Sequence, residues 1–264
     1  MTSTATSARA PWPPFVSVPL RFIYGVYAVL LFSVVGTVSL LAVLLLPTLP
    51  MRRGFARIAA RTYFLLAGMP LRVRGLENLP ATQCVVVANH ASYLDGVVMT
   101  AALPPRFGFV IKREMDGVPG ASLLLRRIGS EFVERFNRHK GATDARRVLR
   151  TAASGHSLVF FPEGTFTYEV GLAKFHTGAF AIAARAQCPV VPAVILGTRR
   201  NMPATRILPR PGMIEVRYGA AIVPVPAREP GEDPAIDLRD RSRAAILEEL
   251  GEPDLNKSGT GTDG

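Results

Sequence analysis

Residues 22–46 carry no charge, a run of 25 residues. As a helix that run is long enough to cross a hydrocarbon core of about 30 Å. It is too long for the core of a signal peptide, and no small-residue cleavage pattern comes after it, so it reads as a retained anchor. Pro47 and Pro50 then break it. Arg52, Arg53, Arg57 and Arg61 come next, and the last three share one helical face at spacing four. Phe55, Ile58, Ala59, Thr62 and Leu66 fall largely on another face, as in an amphipathic helix lying in a lipid interface. Packing of that apolar face on the rest of the protein is the competing reading. Arginines are denser after the apolar run than before it, where only Arg9 and Arg21 stand, so the positive-inside rule places the C-terminal part of the chain in the cytoplasm.

From Leu71 onward the pattern changes to short apolar runs alternating with helical stretches. Strands are expected over 71–74, 84–88, 107–111, 131–135, 157–161, 190–196 and 213–218. Helices are expected over 96–103, 120–128, 142–153, 178–187 and 235–250. That order argues for an α/β fold: a mostly parallel or mixed sheet flanked by helices, behind an N-terminal membrane-embedded helical segment. The stretch 199–211 is rich in Arg and Pro and reads as an exposed loop. The implied division is a flexible tail over 1–20, membrane-anchoring helices over 21–69, a catalytic domain over 70–228, and a C-terminal helix with a disordered tail over 229–264. With 264 residues, 48% of them hydrophobic, one sizeable core is the natural content.

Chemistry concentrates in Asn89-His90-Ala91-Ser92-Tyr93-Leu94-Asp95, directly after the apolar run Cys84-Val85-Val86-Val87-Ala88. Histidine is the side chain best able to take a proton near neutral pH, and a carboxylate on its other ring nitrogen would hold its tautomer. Five residues along a helix is about 500°, or about 140° round the barrel, so the two side chains cannot share a helical face. His90 must therefore sit in a turn with Asp95 in the first turn of the next helix. An ordinary loop histidine beside a helix-start carboxylate fits the segment equally well.

Three further blocks lie downstream: Gly129-Ser130-Glu131-Phe132-Val133-Glu134-Arg135, Phe161-Pro162-Glu163-Gly164-Thr165, and Val191-Pro192-Ala193-Val194-Ile195. In order and approximate spacing, the four blocks resemble those of the glycerolipid acyltransferase family, which includes 1-acylglycerol-3-phosphate acyltransferases. The resemblance spans roughly residues 70–220. It implies that His90 is the general base, oriented by Asp95. The acceptor hydroxyl it deprotonates then attacks an acyl thioester. It further implies that Arg135 binds the acceptor's phosphate, that Glu163, Gly164 and Thr165 bind the acceptor, and that the block around Pro192 lies on the acyl-donor side. Asn89 and Phe132 belong to the same blocks as supporting residues. The implied donor is acyl-coenzyme A or acyl carrier protein, with no resident cofactor. The implied acceptor is a lysophospholipid at the bilayer, foremost lysophosphatidic acid going to phosphatidic acid in phospholipid biosynthesis at the cytoplasmic membrane.

One position departs from the family pattern. An arginine commonly comes after Glu-Gly-Thr, and here Phe166 stands there. A phenyl ring cannot fork onto phosphate as a guanidinium does. Either Arg135, Lys112 or Lys174 meets the phosphate, or the acceptor is another monoacyl lipid or glycerol-3-phosphate. Without the resemblance, Arg135 would read as a solvated strand-end arginine, Glu163 as a partner for some nearby cation, and Lys174 as a surface lysine at a helix start.

The net charge of +11, from 31 Lys+Arg against 20 Asp+Glu, suits an anionic partner. No DNA- or RNA-binding module is visible, so a lipid surface, a phospholipid and coenzyme A phosphates account for the charge better than nucleic acid. Cys84 and Cys188 sit in apolar runs and read as small buried hydrophobes. No metal-ligand spacing, P-loop, dinucleotide fingerprint or Gly-x-Ser-x-Gly elbow is present, which leaves a serine hydrolase without its nucleophile signature. A lipid hydrolase in which His90 activates water, and a non-enzymatic membrane scaffold, are the remaining rivals.

Overall fold

The computed structural model describes residues 17–134, 138–166, 168–226 and 231–256. The segments 1–16 and 257–264, read from the sequence as parts of the tails, lie outside the described residues.

The apolar run folds as α1 (Ser17–Leu45), which starts inside the stretch expected to be a tail. Next comes α2 (Leu49–Leu66). Pro50 stands in the first turn of α2, where its missing N–H costs no helical bond, so it starts the second helix rather than merely ending the first. The two helices form an antiparallel hairpin. The hydroxyls of Tyr24 and Tyr27 donate to the carbonyls of Ala67 and Leu66 at 2.7 and 2.9 Å, and Phe32 meets Tyr63 edge-on. At 29 residues α1 is about 44 Å long. It lies against the rest of the protein near both ends. Gly25 abuts Leu208 so closely that a Cβ there would stand 2.7 Å from it, and the carbonyl of Leu44 accepts from Arg127 at 2.7 Å. The opposite side of α1, with Ile23, Leu30, Val34, Leu41 and Leu45, is exposed.

The α2 helix divides otherwise than its charges suggest. Ala56, Ala60, Tyr63 and Phe64 are buried, while Ile58, Leu65 and Leu66 point outward. Arg53 is turned inward. Its guanidinium donates to the carbonyls of Ile128 at 2.8 Å, Arg106 at 2.9 Å and Gly129 at 3.3 Å. Burial holds it below the usual arginine range. Gly108 and Gly129 leave the room it needs, since a Cβ on either would come within 3.0 Å of its Nη2.

The remaining strands are β1 (Leu71–Arg74), β2 (Val85–Ala88), β3 (Phe107–Lys112), β4 (Glu131–Val133), β5 (Ser157–Phe160), β6 (Val190–Leu196) and β7 (Ile214–Tyr218). They form one sheet in the order β1-β7-β6-β2-β5-β3-β4. Five neighbours, β6, β2, β5, β3 and β4, run parallel, while β7 is antiparallel to β6 and parallel to β1. The helices are α3 (Asp95–Ala102), α4 (Ala121–Arg127), α5 (Arg138–Ala153), α6 (Gly178–Arg185), α7 (Thr198–Asn201) and α8 (Pro234–Leu250).

All four residues of β2 are buried, as a central strand covered on both faces requires. One face packs Val86, Ala88, Val191, Ala193, Val216 and Tyr218 under α2 and α3. The other packs Val85, Val87, Val190 and Val194 under α6 and α8. Cys84 and Cys188 lie in these two layers as buried free thiols, and burial pushes Cys188 up to about 11. The expected fold class is the one observed. Two further local expectations change. The strand expected over 131–135 ends at Val133, because the Glu134 N–H leaves the ladder for the Asp144 carboxylate at 2.9 Å. The loop expected over 199–211 starts as α7, with Asn201 fully buried and bonded to the Gly212 carbonyl at 2.9 Å.

Candidate active site

The parallel strands β2, β5, β3 and β6 all end at the same rim of the sheet, and the expected site residues leave from those ends. Asn89 comes directly after β2 and pairs like a strand residue. Its side chain accepts from the Ile195 N–H at 2.7 Å and donates to the Ile195 carbonyl at 3.1 Å. Those two hydrogen bonds hold the chain beside β6 while letting it turn away at His90.

His90 sits in the turn, and Asp95 is the first residue of α3. Three donors converge on Asp95 Oδ2: the Ala91 N–H at 2.7 Å, the Ser92 N–H at 2.8 Å and His90 Nδ1 at 2.9 Å. An oxygen that already accepts two backbone N–H groups takes the ring proton as a third, so Nδ1 carries the hydrogen and Nε2 keeps its lone pair. The Asp95 side chain is fully buried and that of His90 is partly open. Asp95 Oδ1 is buried without a hydrogen-bond partner among the described residues.

Glu163 holds the same turn from the other side. It lies just past β5 in a tight turn closed by the Gly164 N–H donating to the Phe161 carbonyl at 3.0 Å. Gly164 has φ +82°, a conformation open to glycine and strained for other residues. The Glu163 side chain points back under the rim. Oε1 accepts the His90 backbone N–H at 2.6 Å and Oε2 accepts the Ala173 N–H at 2.9 Å. Burial pushes this carboxyl above the usual carboxylate range, against the pull of those two N–H groups. Glu163 thus joins the loop after β2 to the loop after β5, with both oxygens engaged by backbone.

Aromatic rings enclose the imidazole. Phe161 stacks on it with ring centroids 4.4 Å apart, and Phe166 meets it edge-on at 4.7 Å. Tyr93 meets Phe166 edge-on at 4.7 Å in turn. The position where the family pattern places an arginine is therefore an apolar wall beside the histidine.

The other expected residues are more scattered. Lys112 ends β3 and Lys174 stands next to Ala173. Both are exposed at the same rim without an ion pair among the described residues. Thr165 is exposed next to Gly164. Phe132 is buried in β4 under the Arg126 guanidinium. Pro192 is inside β6 opposite Val87, away from the rim, where only its carbonyl is used, by the Gly219 N–H at 2.8 Å. Arg135 lies outside the described residues.

Sequence reading overlooks the groups that support these loops. The Ser92 hydroxyl donates to the Met202 carbonyl at 2.7 Å. Asp144 of α5 receives Arg113, Arg147 and the Glu134 N–H, which secures the chain at the end of β4. Arg199 of α7 holds the carbonyls of Glu169 and Gly171. Apart from Arg147, three residues along α5 from Asp144, their partners are 10 to 110 residues away, so no local spacing announces them. Among the described residues there is no group of three or more His, Cys, Asp or Glu placed to hold a metal ion.

Comparison with known proteins bears on the family and the fold. A family model described as Acyltransferase matches residues 70–196. The chain is 30% identical over 220 residues to 1-acyl-sn-glycerol-3-phosphate acyltransferase alpha of Homo sapiens, covering 80% of this chain and 77% of that protein. It is 32% identical over 157 residues to the chloroplastic 1-acyl-sn-glycerol-3-phosphate acyltransferase BAT2 of Brassica napus, covering 58% of this chain and 45% of the relative. The chain thus spans about half the length of that plant relative. The fold matches the crystal structure of the 1-acyl-sn-glycerophosphate acyltransferase PlsC from Thermotoga maritima with a TM-score of 0.70 at 19% identity, over 93% of this chain and 98% of that one. The chain belongs to the glycerolipid acyltransferase family.

Proposed function

We propose that this protein is a membrane-associated acyltransferase that moves a fatty acyl group from a thioester, acyl-coenzyme A or acyl carrier protein, to the free hydroxyl of lysophosphatidic acid. The observation that carries the chemistry is the Nδ1–Oδ2 bond of 2.9 Å between His90 and Asp95, which leaves Nε2 as the base at a partly open position. Nε2 takes the hydroxyl proton as the acceptor oxygen attacks the thioester carbonyl. The C–S bond then breaks and the thiolate recovers the proton from the imidazolium. Asp95 stabilises that cation between the two transfers. Base catalysis of this kind is worth about 10²–10⁴-fold.

Exposed apolar side chains along α1, together with its contacts to the protein near both ends, support a hairpin lying along one leaflet with the catalytic rim beside the lipid. Arginines of α2 and the positive-inside rule support a cytoplasmic face and a place in phospholipid biosynthesis at the cytoplasmic membrane. The acceptor's phosphate would meet Arg135, Lys112 or Lys174. A second acceptor reading is favoured by one observation: Phe166, edge-on to His90, offers the head group an apolar surface. Another monoacyl lipid with a less anionic head group would then be the acceptor for the same chemistry.

The test is thioester turnover by the full chain in lipid or mild detergent. Oleoyl-coenzyme A is offered with lysophosphatidic acid and a panel of other acceptors, and thiol release and acylated product are both measured. Phosphatidic acid formed by the protein and lost in His90→Ala supports the reading. Acylation of a different acceptor alone moves the substrate assignment. Free fatty acid as the sole product makes the protein a hydrolase.

A further inference from the structure

The loop between α7 and β7 carries the most exposed large apolar side chain of the catalytic rim, Ile207, at 80% of its full accessibility. The loop is held at both ends. Its Arg210 N–H donates to the Asn201 carbonyl at 2.7 Å, and the Asn201 side chain reaches across to the Gly212 carbonyl at 2.9 Å. Inside it the Arg206 N–H closes a turn onto the Pro203 carbonyl at 3.0 Å. Pro203, Pro209 and Pro211 stiffen what remains. Ile207 is therefore presented outward by a braced loop.

Its surroundings select the partner. Leu208, the next residue, packs against Gly25, so the loop adjoins α1 near its N-terminal end. Arg200 and Arg206 stand exposed on either side of the turn, a pairing of apolar tip and cations that suits an anionic lipid surface. On the neighbouring loops of the same rim, Tyr93, Tyr168 and Val170 are also exposed. At its base the loop is tied to the catalytic turn, since Ser92, two residues from His90, donates to Met202.

We propose that the loop over residues 202–213 is a second bilayer contact, with Ile207 seated in the headgroup–acyl boundary beside α1, and that a lipid acceptor reaches His90 along it. This rests on the membrane-associated reading above. It adds a specific surface on the catalytic domain and a direction of substrate entry.

The test uses the full chain reconstituted with vesicles of phosphatidylcholine and phosphatidylglycerol. Single cysteines replace Ile207, Leu30 on the outward side of α1, and Glu248 on the exposed side of α8, and each carries an environment-sensitive fluorophore. The native Cys84 and Cys188 are buried, so labelling reports the introduced site. Nitroxide-labelled phosphatidylcholine should quench the probes at positions 207 and 30 and spare that at 248. Quenching at 30 without quenching at 207 overturns the proposal and leaves membrane association standing. Quenching at neither overturns both. In turnover assays Ile207→Ser should lose severalfold with long-chain lysophosphatidic acid in vesicles and keep its rate with a short-chain acceptor dissolved as monomers. An equal loss on both acceptors overturns the entry route.

Discussion

Replacing Glu163 by glutamine separates two roles for the third sequence block. The family resemblance implies that Glu163 binds the acceptor. In the structure both its oxygens are occupied by backbone N–H groups, from His90 and Ala173, and the residue is 7% exposed. Glutamine has one oxygen and one NH₂. Its oxygen can keep the shorter bond, to the His90 N–H, and its NH₂ then faces the Ala173 N–H with a donor against a donor. The charge that strengthens both bonds is also gone. A charge-assisted hydrogen bond is worth about 1.5–3 kcal/mol, and a buried donor left unsatisfied costs about 1–3 kcal/mol. Burial disfavours the carboxylate by more than those two bonds favour it, so relief of that cost offsets the lost charge assistance and leaves the unsatisfied donor, about 1–3 kcal/mol. For a chain of this size that lowers the unfolding midpoint by roughly 2–12 °C.

Thermal unfolding in detergent and steady-state turnover should be read together on Glu163→Gln. A positioning role predicts the drop in midpoint and a fall in kcat, with little change in the KM for the acceptor, because the His90 turn is loosened while acceptor contacts remain. A direct acceptor contact predicts the opposite split: an unchanged midpoint and a raised KM. The second pattern would refute the reasoning.

Asp95→Asn bears on the base itself. One oxygen of Asp95 takes all three donors and the other is buried without a partner among the described residues, so an amide can keep its oxygen on the donors but leaves its NH₂ buried without an acceptor. Its unfolding midpoint should fall by the equivalent of about 1–3 kcal/mol while kcat drops about 10²–10⁴-fold, as the imidazolium loses its counter-charge. Arg53→Met strips three carbonyls of their donor and should cost about 2–4 kcal/mol, seen as a lower midpoint and faster proteolysis between α2 and β1. Asp144 supplies the pH dependence. Burial pushes its carboxyl up, but bonds from Arg113, the Glu134 N–H and Arg147 outweigh it and hold it below the usual carboxylate range. Its contribution to stability is thus present above the pKa of the unfolded carboxyl and lost as pH falls through the lowered folded value. Acid titration of the unfolding midpoint should show a shallower decline in Asp144→Asn than in the parent.

What the sequence discloses depends on the range of the interaction. Strands such as 71–74 and 190–196 match to the residue, the first as an alternation of apolar and charged residues and the second as a continuous apolar run, patterns that admit few other structures. The His90–Asp95 pair is readable too, since five residues across a strand–turn–helix junction leave few places for either side chain. Glu163 is visible as a site residue but not in its mode of action, which depends on backbone donors 73 residues before it and 10 after it. The inward turn of Arg53 is equally hidden. A row of arginines on a helix signals a polar face, and only the tertiary fold supplies the three carbonyls that make one of them a core residue. The short helix α7 is masked by an Arg- and Pro-rich composition that is ordinarily that of a loop.

The helical hairpin and the catalytic pair are parts of one mechanical unit. Asp95 opens α3, and α3 packs under α2 through Val98, Met99, Ala101 and Ala102, with Arg61 of α2 donating to the Ala101 carbonyl at 3.2 Å. Tyr63 and Phe64 bury themselves in that same layer while Tyr63 also meets α1. Any tilt of the hairpin therefore displaces the helix that carries the base's carboxylate. Glu163 holds the turn from the opposite side, from the loop just past β5. The imidazole is suspended between a carboxylate on the hairpin-supported helix and one on the sheet. Its position reports how the two are docked. An anchor joined by a free linker would localise the protein to lipid without setting the geometry of the base. Under the proposed function the packed interface would do both, so a substitution as remote from His90 as Arg53→Met should lower kcat along with the unfolding midpoint.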